Sequence, residues 1–179
     1  MLRFFPKVLW IRGNGSMMKV KIYSDGACKG NPDGPGGYGT LLQYVDKENK
    51  LHEKEFCAGY KATTNNRMEL MGVITGFEAL KQKCDVEVVS DSKYVCDAFN
   101  QHWIYAWMKN GWKKSNKEPV KNKELWERLL KAMDGHNVTF TWIKGHAGHR
   151  ENERCDFLAS SSAKGSELLD DDGLSMYHS

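Results

Sequence analysis

The chain is poor in proline, with four among its 179 residues, and it lacks any long apolar run. The most hydrophobic stretch near its start, "FFPKVLWI", is eight residues long and contains Lys7. That falls well short of the about 20 residues that a membrane helix needs, and it makes a poor secretory core. Cysteine is present but not organised. Cys28, Cys57, Cys84, Cys96 and Cys155 are odd in number, widely spaced and include no C-x-x-C pair, which argues against a zinc or redox motif and fits reduced thiols. Internal repeats and low-complexity tracts are absent as well. What remains is a soluble, cytoplasmic globular chain without a membrane partner, and 40% hydrophobic positions are enough for one core that buries about two-thirds of the unfolded surface.

The net charge of +3 hides an uneven distribution. Between Trp107 and Lys123 six lysines (109, 113, 114, 117, 121 and 123) face one acid, Glu118, whereas the tail after Lys164 carries four acids and no lysine or arginine. A basic segment in a nearly neutral protein points to a polyanionic partner at one face. The ends read differently from the middle: residues 1–17 as a flexible extension, 18–164 as the folded domain, and 165–179 as an acidic, disordered tail.

Within the domain the hydrophobic period changes once. "KVKIY" (Lys19 to Tyr23), "GYGTLLQYV" and "HEKEFCAGY" read as three short strands in an antiparallel meander. "TTNNRMELMGVITGFEALKQK" then sets Leu70, Val73, Ile74, Phe77 and Leu80 at helical spacing behind Thr and Asn capping candidates. "DVEVVS" is a strand, "DSKYVCDAFN", "WIYAWMKN" and "NKELWERLLKAM" are helices, "NVTFTWI" is a last strand and "RENERCDFLASSSAK" a last helix. This order describes a mixed α/β (α+β) sheet with helices on its faces.

Four carboxylates stand out. Asp25 closes the first strand, and Asp91 closes "DVEVVSD" where a helix begins; if the two strands are neighbours, both open into one crevice. Glu69 lies in line with Val73, Gly76 and Leu80, beside the buried stripe of its helix, and Asp156 sits in the second turn of the last helix. The plain alternatives are a helix cap for Asp91 and solvated charges for Glu69 and Asp156. Carboxylates gathered without cations would repel one another; Mg²⁺ between them would resolve this, and two such ions about 4 Å apart suit phosphodiester cleavage.

Two further segments fit that chemistry. "QHWIYAWMKNGWKKSNKEPVKNKELW" interleaves Trp103, Trp107, Trp112 and Trp126 with the lysines, a combination suited to phosphates and to sugar or base faces. Trp103 and Trp107, four apart, equally suit a packing face, and Trp126 reads as core. "WIKGHAGHRENERCD" carries His146 and His149 in a glycine-flanked loop, where a histidine can shuttle protons. A zinc pair is the other reading, without a third ligand at a supporting spacing.

Taken in order, "DGACKGNP" with "GPGGYG", "TTNNRMELM", "SDSKYV", "WIYAWMKNGWKK" with "EPVKN", and "WIKGHAGHRENERCD" resemble the bacterial type I ribonuclease H family over roughly Met18 to Ala163. The resemblance implies a five-stranded mixed sheet with helices on both faces, and a monomer without an obligate protein partner. It implies Mg²⁺- or Mn²⁺-dependent cleavage of the RNA strand of RNA/DNA hybrids, leaving 3′-hydroxyl and 5′-phosphate ends, with two ions per site when substrate is bound. By position it makes Asp25, Glu69, Asp91 and Asp156 metal ligands and His146 an aid to proton transfer or product release. Cys28, Asn31, Thr64, Asn65 and Asn66 become hybrid contacts. Trp103, Trp107, Trp112, Lys113, Lys114 and Lys121 fall in a basic protrusion, about 103–123, that grips the DNA strand. Departures are an extra Asp33, one residue inserted near Phe99 to His102, and Lys93 where relatives often carry glutamine. A transposase- or resolvase-type DNA nuclease and a non-catalytic hybrid-binding module are the alternatives.

Overall fold

A computed structural model describes residues 17–174; of the extension expected over residues 1–17, all but Met17 lies outside them. Alternation drives the first strand, β1 (Met18–Cys28), in which Val20 and Ile22 are buried while Lys19 and Lys21 face solvent. The meander continues through β2 (Gly36–Val45) and β3 (Leu51–Tyr60), each antiparallel to its predecessor. After α1 (Asn65–Glu78), β4 (Cys84–Ser90) pairs parallel to β1 on its other side. The helices α2 (Lys93–Asn100), α3 (Trp103–Lys109) and α4 (Lys123–Met133) lead to β5 (Asn137–Trp142), parallel to β4, and then to α5 (Arg150–Ser162).

Every strand and helix read from periodicity is present, with two corrections. Asp25 does not end β1: pairing to β4 stops at Ser24, but the strand runs on against β2 to Cys28. The sheet has six strands among the described residues, in the order β5-β4-β1-β2-β3-β6, because β6 (Leu168–Leu169) adds to the free edge of β3. The tail expected to be disordered from residue 165 is therefore docked over this part. The Lys61 N–H donates to the Leu169 carbonyl at 2.9 Å, and Asp171 meets the buried Arg67.

The two faces of the sheet bury different partners. Thr40 Oγ1 donates to the Gly72 carbonyl of α1 at 2.6 Å, whereas a Cβ on the next residue back, Gly39, would strike the Cys155 carbonyl of α5. Successive strand residues point to opposite faces, so α1 and α5 clasp β2 from both sides, and β2 is buried through Leu42 and Gln43. On the α1 face, Leu70, Val73, Ile74 and Phe77 meet Ile22, Val88, Val95 and Leu129. Trp126 sits fully buried among the rings of Tyr94, Phe99 and Trp107, the core role its setting in "ELWERLL" suggests. α1 ends at Glu78, one residue before the Ala79 cap, so Leu80 packs on the core from the following turn.

Candidate active site

The register of β1 on β4 fixes the first two acids. Ser24 pairs with Ser90 at the last shared rung, so Asp25 and Asp91 are the next residues on neighbouring parallel strands. Glu69 arrives from α1, whose backbone lies directly on Gly26: a Cβ there would stand 2.5 Å from the Glu69 nitrogen. Only a residue without a side chain permits that approach. Carboxylate oxygens of Asp25, Glu69 and Asp91 consequently lie within 4.8 Å of one another, with Asp25 and Glu69 buried and Asp91 half-buried.

Such crowding carries an electrostatic cost. Burial, and then the charges of Asp91 and Asp156, push the Asp25 carboxyl up to about 7, against a 2.8 Å hydrogen bond donated by the Gly26 N–H. Burial first, and then Asp25 and Asp91, hold Glu69 well above the usual carboxylate range. Glu69 Oε1 accepts from Asn65 Nδ2 at 3.4 Å, while its buried Oε2 has no protein partner. An unpaired buried carboxylate oxygen beside two more carboxylates is costly unless a cation completes it. Three hard oxygen donors suit a divalent ion of the Mg²⁺ or Mn²⁺ kind, so the residues present fit a metal.

Asp156, the fourth acid of the sequence reading, lies half-buried on α5 outside the three-residue cluster, near enough for its charge to act on Asp25. Asn152, one turn earlier on the same helix, was not singled out by the sequence. It is 3% exposed, its Nδ2 donates to Asp91 Oδ2 at 3.4 Å, and its Oδ1 is buried without a partner. The signal that could have found it is its spacing of four from Asp156, which puts both on one helix face.

The histidine loop borders the same acids: a Cβ at Gly145 would collide with Asp91 Oδ2, and the adjacent His146 is exposed at φ 53°. His149 caps α5 and is exposed. On the other flank, Trp142 Nε1 donates to the Asp91 carbonyl at 2.9 Å, and the Lys93 ammonium stands 5.0 Å from the Trp142 ring centre.

The expected hybrid contacts gather at the start of α1. Thr64 caps the helix by accepting from the Arg67 N–H at 3.3 Å, the Asn65 N–H donates to Asn31 Oδ1 at 3.2 Å, and Cys28 Sγ lies 3.4 Å from the Thr63 carbonyl. Asn66 is half-buried in the same turn. Asp33 is exposed at φ 72°, with its N–H held by the Thr63 carbonyl. Trp103 is 46% exposed at the start of α3, Trp107 is half-buried against Trp126, and Trp112 folds back so that its N–H reaches the Trp107 carbonyl at 2.7 Å. Lys113 and Lys121 are exposed, and Lys114 lies 3.7 Å from Glu118.

An antiparallel meander extended by parallel strands, with acids from β1, α1 and the end of β4 converging at one end of the β1–β4 pair, defines a nuclease of the ribonuclease H-like class. The family model RNase H matches residues 17–164. Ribonuclease H of Lachnoclostridium phytofermentans is 59% identical over 154 residues, covering 86% of this chain and 98% of its own. The ribonuclease H of Desulforamulus reducens is 53% identical, over 84% and 91% of the two chains, and that of Escherichia coli is 52% identical, over 86% and 95%. Among solved structures, a type 1 RNase H carrying the type 2 active-site motif, LC9-RNase H1, is 31% identical with a TM-score of 0.76, covering 93% of this chain and 83% of its own. The N-terminal RNase H domain of a Mycobacterium tuberculosis protein is 26% identical with a TM-score of 0.61, over 82% and 94%. The chain belongs to the bacterial type I ribonuclease H family.

Proposed function

We infer that the chain is an endonuclease that hydrolyses the RNA strand of RNA/DNA hybrids, leaving 3′-hydroxyl and 5′-phosphate ends. The observation that carries this reading is the convergence of Asp25, Glu69 and Asp91 within 4.8 Å in a chain of this family. Asp25, Glu69 and Asp91, with Asp156 from α5, hold Mg²⁺, or Mn²⁺ in its place, two ions being held when substrate is bound. Bound there, the metal supplies activation of water and charge stabilisation at the leaving oxygen.

The chain's own groups do the rest. His146, exposed beside Asp91 in its glycine-flanked loop, carries a proton or eases product release. Cys28, Asn31, Thr64, Asn65 and Asn66 contact the hybrid around the start of α1, and Lys93 adds a cation next to Asp91. Trp103, Trp107, Trp112, Lys113, Lys114 and Lys121 grip the DNA strand. Recognition of 2′-hydroxyls selects the strand that is cut, and phosphate and sugar contacts confer little sequence preference. The protein works as a cytoplasmic monomer; no helix among the described residues is long and apolar enough to cross a membrane.

Incubation of labelled RNA/DNA, RNA/RNA and DNA/DNA duplexes with Mg²⁺, alongside Asp25→Asn, tests the reading. Cleavage confined to RNA in the hybrid, and lost in the variant, is expected. Cleavage of DNA/DNA, or full activity of the variant, would overturn it.

A further inference from the structure

The acidic tail lies beyond residue 164, where the family match ends, yet it reaches the helix that carries Glu69. Arg67, in the first turn of α1, is 2% exposed. Its guanidinium donates from Nε to Asp171 Oδ2 at 2.7 Å and from Nη2 to Asp171 Oδ1 at 2.8 Å. Nη1 serves Asn122 Oδ1 at 3.1 Å and Glu124. Asp171 Oδ2 also accepts from Thr63 Oγ1 at 2.7 Å, beside the Thr64 cap. A two-pronged carboxylate pair is the strongest geometry open to arginine. Here it crosses 104 residues of sequence.

Charge makes the contact consequential. A cation in the first turn of a helix opposes the helix dipole, and a buried guanidinium deprived of its partner is strongly unfavourable. Asp171 and Glu124 together compensate Arg67, but only Asp171 is itself nearly buried: its side chain is 8% exposed against 33% for Glu124. By contrast the Lys61–Asp170 pair next to it is exposed on both sides and contributes little. The turn so held contains Asn65 and Asn66 and runs into Glu69, with Asn65 bonded both to Glu69 and to Asn31.

We propose that Asp171 is a positioning residue: by gripping Arg67, the tail clasp sets the first turn of α1 and so the placement of Glu69 and Asn65 in the active site. β6, pairing Leu168 with Gly59 and Leu169 with Tyr60, delivers the carboxylate to that position. The proposal rests on the ribonuclease reading for its consequence in catalysis, and on the fold alone for its consequence in the helix.

The test compares Asp171→Asn, Asp171→Glu and the control Asp170→Asn in the full chain, well below each melting temperature. Three readouts apply: Mg²⁺ affinity by calorimetry without substrate, kcat and KM on a hybrid, and amide hydrogen exchange over residues 65–70. Asp171→Asn is expected to weaken Mg²⁺ binding about ten-fold, the scale seen when a ligand's supporting partner is lost. It should lower kcat with little change in KM and speed exchange in that turn. Asp171→Glu should recover part of each effect, and Asp170→Asn should match the parent. Unchanged exchange would overturn the clasp. A lower melting temperature with unchanged kcat and Mg²⁺ affinity would reduce Asp171 to a structural residue and equally overturn the proposal. If the parent protein cleaves no hybrid, the ribonuclease reading fails while the exchange comparison still decides the clasp. Should Asp171→Asn not fold, Asp171→Glu against the parent gives the same readouts.

Discussion

Asp25 and Asp91 leave adjacent parallel strands one residue beyond the Ser24–Ser90 rung, and with Glu69 they form a cluster spanning 4.8 Å. This placement sets catalysis against stability. Asp25→Asn removes a ligand of the proposed metal, whose charge stabilisation would be worth several kcal/mol, so hybrid cleavage should fall about a thousand-fold. The same change relieves repulsion with Asp91 and Asp156. In EDTA, the variant should therefore melt higher than the parent, by about 2–4 °C for each kcal/mol of repulsion removed in a chain of this size. Calorimetry and a cleavage assay on the same preparations check both halves.

Gly26→Ala should be costly although it adds one methyl group. The new Cβ would meet backbone, 2.5 Å from the Glu69 nitrogen and 2.8 Å from the Met68 carbonyl carbon, and backbone inside a packed helix–sheet contact cannot step aside as a flexible side chain can. Overpacking of this kind costs about 1–3 kcal/mol, read as a drop in urea midpoint at unchanged slope. Because α1 is pushed off β1 where Glu69 enters, activity should fall further than the stability loss explains.

The pH dependence of the metal-free protein follows from the raised acids. Folded, Asp25 keeps its proton up to about pH 7, against a reference value of 3.8 for the free side chain. Across that window the folded state binds more protons than the unfolded one, so stability declines as pH rises; Glu69 acts in the same direction. The contribution is complete below the unfolded value and lost as pH passes the folded one. Melting curves in EDTA should fall from acid to neutral pH, Asp25→Asn should flatten the slope, and Mg²⁺ should raise the neutral end most. A metal-free protein whose melting temperature rises steadily over that range would contradict this assignment.

Where residues act through their immediate neighbours in sequence, the fold was legible. The 3.6-residue stripe through Val73 and Phe77 located α1 and set Glu69 beside the core, and the alternation in "KVKIY" located β1. That periodicity ends at Tyr23, so it could not show β1 running on to Cys28 through residues paired with β2. Nor could a two-residue strand such as β6 announce itself, since it forms only where the edge of β3 offers free hydrogen-bonding groups. Four acids in a fifteen-residue tail read as a solvated segment because nothing near Asp171 in sequence shows the buried Arg67 that it meets. Among the site residues, Asp25, Glu69 and Asp91 converge as the spacing and the resemblance implied, while Asn152 has a role set by a neighbour, Asp91, on a different element.

The basic protrusion makes a prediction about salt rather than rate. Lys113 is exposed, while Lys114 is tied to Glu118 at 3.7 Å. Each phosphate contact contributes about 0.9 to the slope of log affinity against log salt on duplex DNA. Lys113→Ala should weaken hybrid binding and reduce that slope by about one unit, with a smaller change for Lys114→Ala because Glu118 already offsets part of its charge. Titrations of a catalytically inert Asp25→Asn background over a range of KCl concentrations measure this directly. An unchanged slope when Lys113→Ala and Lys114→Ala are combined would mean that the lysines are only a solvated face.

Asn152 gives the sharpest test of how the acids are oriented. Its Nδ2 donates to Asp91 Oδ2 from a position 3% exposed, and its Oδ1 is buried without a partner. An amide here can steady the Asp91 carboxylate without adding charge; a carboxylate would instead add a further anion to a cluster that already raises Asp25. Asn152→Ala should lower Mg²⁺ affinity about ten-fold through lost orientation, yet leave the metal-free melting temperature almost unaffected, because the buried Oδ1 that lacks a partner is removed along with the bond to Asp91. Asn152→Asp should do the reverse in the metal-free state and destabilise it at neutral pH, with the loss shrinking as the pH is lowered and the added carboxyl takes up a proton. Parallel calorimetric titrations and melting curves separate the two effects. Equal Mg²⁺ affinity in the parent and in Asn152→Ala would show that Asp91 is oriented by its strand end and the Trp142 bond to its carbonyl alone.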